Sequence, residues 1–178
     1  TSMVSASVAP NTAAYDDPER GTRWRESTVE NLEEELAATD LLIGAVLRPG
    51  ARAPHVVTTH MVQRMPRGSV MVDVSIDQGG CIETSRPTSH SDPVFVAHGV
   101  IHYCVTNMPG AYPRTSTEAL TAATLPYVVE LAAGGREALR RPNLARGVNV
   151  HAGHLTHPAV AEGFDMADRY RRPEDLLG

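Results

Sequence analysis

Apolar residues along this chain alternate with polar turns, and the spacing inside each apolar stretch sets the element expected there. Val29, Leu32 and Leu36 recur at i, i+3 and i+7, one buried stripe of a helix. Ser27 with Glu30 three residues later reads as an N-cap and capping box. Glu30, Glu33, Glu34 and Glu35 crowd the first half of that helix, where the helix dipole favours them, and read as a solvated face. Leu41–Leu47 is continuously apolar, the form of a parallel strand covered on both faces, and Pro49-Gly50 breaks it. Thr58 to Met65 reads as a short helix stopped by Pro66 and Gly68. Ser69–Ile76 and Val100–Val105 are β-branched runs and expected strands. This α, β, α, β rhythm is that of a doubly wound sheet.

Between the last two strands, Cys81 to Pro93 is rich in Ser, Thr and Pro and is expected as a loop or lid. Thr115 or Ser116 is the expected cap of a long helix with Glu118 in its first turn. Pro126 should kink or split it, and Gly134-Gly135 should end it. A short segment is expected from His157 to Gly163. Three parts follow: a loose arm at 1–21, an α/β domain at 22–134, and a C-terminal segment at 135–178. No internal repeat or long linker divides them.

Composition narrows the class. At 178 residues and 42% apolar, the chain can bury a sizeable core. A net charge of −5 without a basic block argues against a nucleic-acid surface. No apolar run approaches the ~20 residues of a membrane span, and no charged-then-apolar leader is visible. Cys81 and Cys104 lack framework spacing, so reduced thiols in a cytoplasmic protein are expected.

Candidate chemistry gathers where the two motif strands end. The first stops at Asp77-Gln78-Gly79-Gly80 and the second at Asn107-Met108-Pro109-Gly110. In a parallel sheet both turns share the carboxyl edge, where open α/β sheets bind ligands. Asp77 there either orients a reacting group and stabilises developing positive charge, or organises its own turn. Asn107 either holds a carbonyl or caps its turn, and Arg114 either meets an anion or braces the loop. Asp73 lies mid-strand among valines and is expected to be structural, hydrogen-bonded to backbone. His151, His154 and His157 fit a metal site poorly, with Gly153 between them, and no metal is expected. His90, Asp92, His98 and His102 receive the same reading. Cys81 is a loop thiol with nothing nearby set to lower its pKa. No G-x-G-x-x-G pattern occurs in the chain.

ATDLLIGAVLRPGARAP, SVMVDVSIDQGGCIETSRPTSHSDP and VIHYCVTNMPGAYPRTSTEALTAATLPYV together closely resemble the alanine dehydrogenase family, which is related to the nucleotide-binding subunit of pyridine-nucleotide transhydrogenase. The resemblance runs from about Leu32 to about Gly163. It implies reversible, NAD-dependent oxidative deamination of L-alanine to pyruvate and ammonia, in an oligomer that is usually a hexamer. Asp77 matches the aspartate credited with catalysis, and Asn107 and Met108 match the turn against nicotinamide and substrate. Val46 matches a strand-end position on the adenosine side, and Val74 and Val105 match positions lining the cofactor cleft. Glu118 stands where an aromatic is common, and Ala122 where Asn is common.

A full member of that family is about twice this length. It begins with a catalytic half bearing a lysine, an arginine and a histidine, followed by a βαβ unit with the glycine loop and the acid that holds the adenine ribose. None of these is in this sequence. The fold expected is therefore α/β, an incomplete Rossmann-like parallel sheet flanked by helices with a C-terminal helical segment. A raw sheet edge implies self-association or a partner subunit. Three functions follow: an alanine-dehydrogenase-like oxidoreductase completed by a partner, a small-molecule enzyme using the Asp77/Asn107 edge without NAD, or a non-catalytic binding or assembly subunit. The small-molecule substrate is an amino acid or 2-oxo acid in the first case.

Overall fold

The computed structural model describes residues 2–5 and 23–177. The chain divides into two compact units, Thr1–Leu47 with Ala53–Met108, and Arg48–Arg52 with Pro109–Gly178.

In the first unit, β1 (Ser2–Ser5) pairs in parallel with β2 (Arg23–Glu26). Ser2–Ser5 belongs to the segment expected as a loose arm, and β2 supplies its hydrogen-bonding partners. The rest of that arm, residue 1 and residues 6–21, lies outside the described residues. Helix α1 (Val29–Leu36) starts one residue later than expected, because Thr28 rather than Ser27 caps it through the Asn31 N–H. Leu32 and Leu36 are buried, but Val29 is 59% exposed and leaves the stripe. The acidic face is only partly solvated. Arg25 of β2 pairs with Glu34 and Glu35, and Glu33 with Arg64.

A four-stranded sheet follows in the order β3 (Leu41–Gly44), β4 (Val70–Asp73), β6 (Val100–Tyr103), β5 (Val94–Ala97). Strands β3, β4 and β6 run parallel, and β5 closes one edge antiparallel to β6. The sheet is thus Rossmann-like and mixed. The β5–β6 hairpin turns on His98 and Gly99, both at positive φ, the geometry that matches strand twist in two-residue turns. Helix α2 (Thr59–Arg64) is capped by Thr58. Its Met61 and Val62 join Leu32, Leu36, Met71, Cys81, Ile82 and Val100 in one core. Gly44 permits close packing in this core, since a Cβ there would stand 2.6 Å from Cys81 Sγ. Gly44→Ala is expected to cost about 1–3 kcal/mol by overpacking, measured as a shifted urea midpoint at constant slope.

His102 lies fully buried in β6. Its Nδ1 meets the Val100 carbonyl at 2.9 Å and its Nε2 the Thr84 hydroxyl at 2.8 Å, while Phe95 stacks on it at 4.7 Å. A carbonyl only accepts, so Nδ1 carries the proton and Nε2 accepts from Thr84 in the neutral ring. Burial, chiefly, lowers the His102 pKa below the ordinary value of 6.5. As pH falls below about 6.5 the unfolded ring takes up a proton before the folded one. Stability should therefore decline with acidification below that point and level off beneath the folded pKa. Denaturant unfolding of His102→Gln against the parent, from pH 7.5 to 5, should show a flatter decline in the variant.

In the second unit, α3 (Pro113–Ala138) begins after Tyr112 with Pro113 in its first turn, rather than at Thr115 or Ser116. It passes through Pro126 without being split there. The break comes at Gly135, whose φ of 52° and ψ of −136° are non-helical. Short elements α4 (Pro142–Ala145), β7 (Val150–His151), β8 (His154–Leu155), α5 (Pro158–Gly163) and α6 (Pro173–Leu177) follow. No helix among the described residues is long and apolar enough to cross a membrane.

Candidate functional site

Strand β4 ends sooner than its valines suggest. Asp73 turns its carboxylate back onto the Ser75 N–H, and Val74–Gln78 winds into a 3-10 turn instead of continuing the strand. Gly79 and Gly80, at φ 98° and 82°, complete the turn in the left-handed region, which few other residues tolerate. This geometry projects Asp77 outward at the carboxyl edge. Strand β6 likewise stops at Tyr103, short of the expected Val105.

The two motif turns meet. The backbone N–H of Asn107 donates to both carboxylate oxygens of Asp77, at 3.0 and 3.1 Å. Asn107 itself sits at φ 52°, a left-handed conformation that Asn adopts more readily than most side chains. Its carbonyl oxygen accepts from His90 Nε2 at 3.2 Å. His90 was not read as a site residue from sequence, because its place beside Asn107 depends on the course of the Cys81–Pro93 loop.

A third turn joins at the end of β3. The Ser75 hydroxyl accepts from the Val46 N–H at 2.7 Å and donates to the Val46 carbonyl at 2.9 Å. The Val46 N–H is thereby occupied, and its carbonyl already accepts one hydrogen bond. Between these turns lies a cleft of about 260 Å³ lined by Ala45, Val46, Leu47, Val74, Ser75, Asp77 and Gln78. Its wall is mostly apolar with a carboxylate and an amide at its margin, the make-up common to small-molecule sites.

Of the residues singled out from sequence, Asp77, Val46 and Val74 line this cleft, and Val74 is 48% exposed. Asn107 is held to it through Asp77, and half-buried Met108 is the next residue along. Val105 is fully buried and is not part of the lining. Asp73 is bound to backbone amides, as its place among valines suggests. Arg114 pairs with Glu118 one helical turn on, at 3.0 Å. Burial, above all, pushes the Cys81 thiol up to about 11, so it is a poor nucleophile at neutral pH. Among the described residues, no three His, Cys, Asp or Glu side chains converge as a metal site.

Comparison with known proteins decides the family. Residues 4–158 match the family described as "Alanine dehydrogenase/PNT, C-terminal domain". The chain belongs to this family. Among curated relatives, the alanine dehydrogenase of Halomonas elongata is 55% identical over 154 residues, which cover 85% of this chain and 41% of that protein. That of Mycolicibacterium smegmatis is 51% identical over 88% of this chain and 43% of its own length. A solved L-alanine dehydrogenase superposes with a TM-score of 0.73 at 46% identity, covering 92% of this chain and 46% of that one. The transhydrogenase from Sinorhizobium meliloti superposes at 0.64 with 26% identity, covering 89% and 42%. This member of the family thus spans about two-fifths of the length of the curated relatives it matches.

Proposed function

We propose that this chain forms the cofactor-facing wall of an NAD-dependent oxidoreductase of alanine dehydrogenase type. Joined to the rest of such an enzyme, it acts in oxidative deamination of L-alanine to pyruvate and ammonia. The observation that carries this reading is the Asp77–Asn107 clamp, which draws both family-specific turns to the rim of one cleft at the carboxyl edge.

The residues fit a pyridine nucleotide in part. Val74 would pack against a nicotinamide ring with Asp77 and Asn107 at its margin, and Val46 would face the adenosine side. NAD, when bound, supplies the hydride acceptor. The cleft of about 260 Å³ lies just below the ~300–1,000 Å³ of ordinary ligand sites, so this chain's share is a ring and its ribose rather than the whole dinucleotide. Asp77 is oriented by the Asn107 N–H before any ligand arrives, which costs no reorganisation during reaction. Its negative charge would favour positive charge developing on the substrate carbon and nitrogen. Positioning of the substrate carboxylate and removal of its amine proton fall to residues beyond this chain.

Titration of the purified chain with NADH, followed by nicotinamide fluorescence, should saturate with a Kd between about 1 µM and 1 mM. Asp77→Ala should weaken it. No saturation at several times the upper bound would overturn cofactor binding by this chain.

A further inference from the structure

The buried carboxylate of Asp73 lies at the root of the turn that carries Asp77. It is fully buried at the last position of β4. Its Oδ1 accepts from the Ser75 N–H at 3.0 Å and from Cys81 Sγ at 3.4 Å. Its Oδ2 accepts from the N–H groups of Cys81 at 3.0 Å and Ile82 at 3.2 Å. These donors flank the turn that carries Asp77: Ser75 precedes it, and Cys81 and Ile82 follow it. The carboxylate therefore closes the Ile76–Gly80 excursion at its base. Gly80 lies so near that a Cβ there would stand 3.0 Å from Oδ2.

We infer that Asp73 is a positioning residue for the Asp77–Asn107 clamp. With both ends of the turn bound to one buried carboxylate, Asp77 leaves the sheet at the height where its oxygens meet the Asn107 N–H. The same carboxylate holds Ser75, whose hydroxyl fastens Val46. Negative charge is the feature that matters. A carboxylate accepts at both oxygens, whereas an amide accepts at one and turns N–H donors toward the other amides. A charge satisfied by several backbone N–H groups is also a strong local constraint. The functional consequence rests on the dehydrogenase reading of Asp77 and Asn107, but the geometry does not need nucleotide.

The test is amide hydrogen exchange by NMR on the full chain without ligand, so its failure is distinct from failure to bind NADH. In Asp73→Asn, exchange at Asn107 should rise by about tenfold or more. The Ile101 amide, bonded to the Ser69 carbonyl within the sheet, should stay within about threefold of the parent. Ser75→Ala should release Val46 and leave Asn107 protected. An unchanged Asn107, or a uniform rise across the sheet, would reduce Asp73 to a fold-stabilising role and overturn the inference. If Asp73→Asn does not fold, the parent chain decides. Asn107, Cys81 and Ile82 should then open together under mild denaturant, and an Asn107 exchanging more than about thirtyfold faster than the other two would overturn it.

Discussion

Asp77→Ala is expected to lower kcat by about 10²–10³ in a chimera that joins this chain to the preceding part of the Halomonas elongata relative. The expectation follows from the site's geometry. The carboxylate is preset by the Asn107 N–H at 3.0 and 3.1 Å, beside a cleft whose walls are largely apolar. A charge held there acts mainly in the transition state, so kcat should fall more than KM rises. Asp77→Asn separates charge from position, because its oxygen still accepts from Asn107 while its charge is gone. Persisting loss in that variant supports an electrostatic role. Near-complete recovery would mean that Asp77 only organises the turn. A chimera with no alanine-dependent NADH formation, despite correct folding, would count against the dehydrogenase reading itself.

Met71→Ala should destabilise the first unit by about 2–5 kcal/mol in urea unfolding. Met71 is fully buried in β4, in register with Leu42 on one side and His102 on the other. It belongs to the core formed with α1 and α2. Truncation there removes apolar contacts from the strand that leads into Asp73 and the Asp77 turn. Met71→Leu keeps the volume and should cost less than about 1.5 kcal/mol. Equal effects of the two substitutions would show that the sheet face relaxes freely around this position.

The parallel strands and the helices between them were legible because burial leaves periodic traces. The apolar run from Leu41, the valines from Val70 and the Thr58–Met65 segment each predict an element that the structure contains, although Leu41 and Ile43 are exposed rather than covered on both faces. Their ends were less legible. Asp73 stops β4 through bonds to Cys81 and Ile82, eight and nine residues on, which no local propensity encodes. Thr28 displaced Ser27 as the cap, since either residue type satisfies the pattern and only the chain's path chooses. Strand β5 follows directly on the Ser-, Thr- and Pro-rich Cys81–Pro93 stretch and was not expected as an element. Its signals were the alternation of Val94 and Val96 and the His98-Gly99 pair before Val100.

The site divides along the same line. Sequence alone determined which residue types follow the two parallel strands, because each β-branched run gives way to a polar turn bearing Asp77 or Asn107. Their family pattern pointed to a pyridine-nucleotide enzyme. Only the tertiary structure decided that Asp77 binds the Asn107 amide, that His90 reaches its carbonyl, that Ser75 locks Val46, and that Val105 is withdrawn into the core. The physical reason is range. Burial periodicity and turn chemistry act over a few residues, whereas these contacts join positions 17 to 30 residues apart and exist only once the sheet has brought them together.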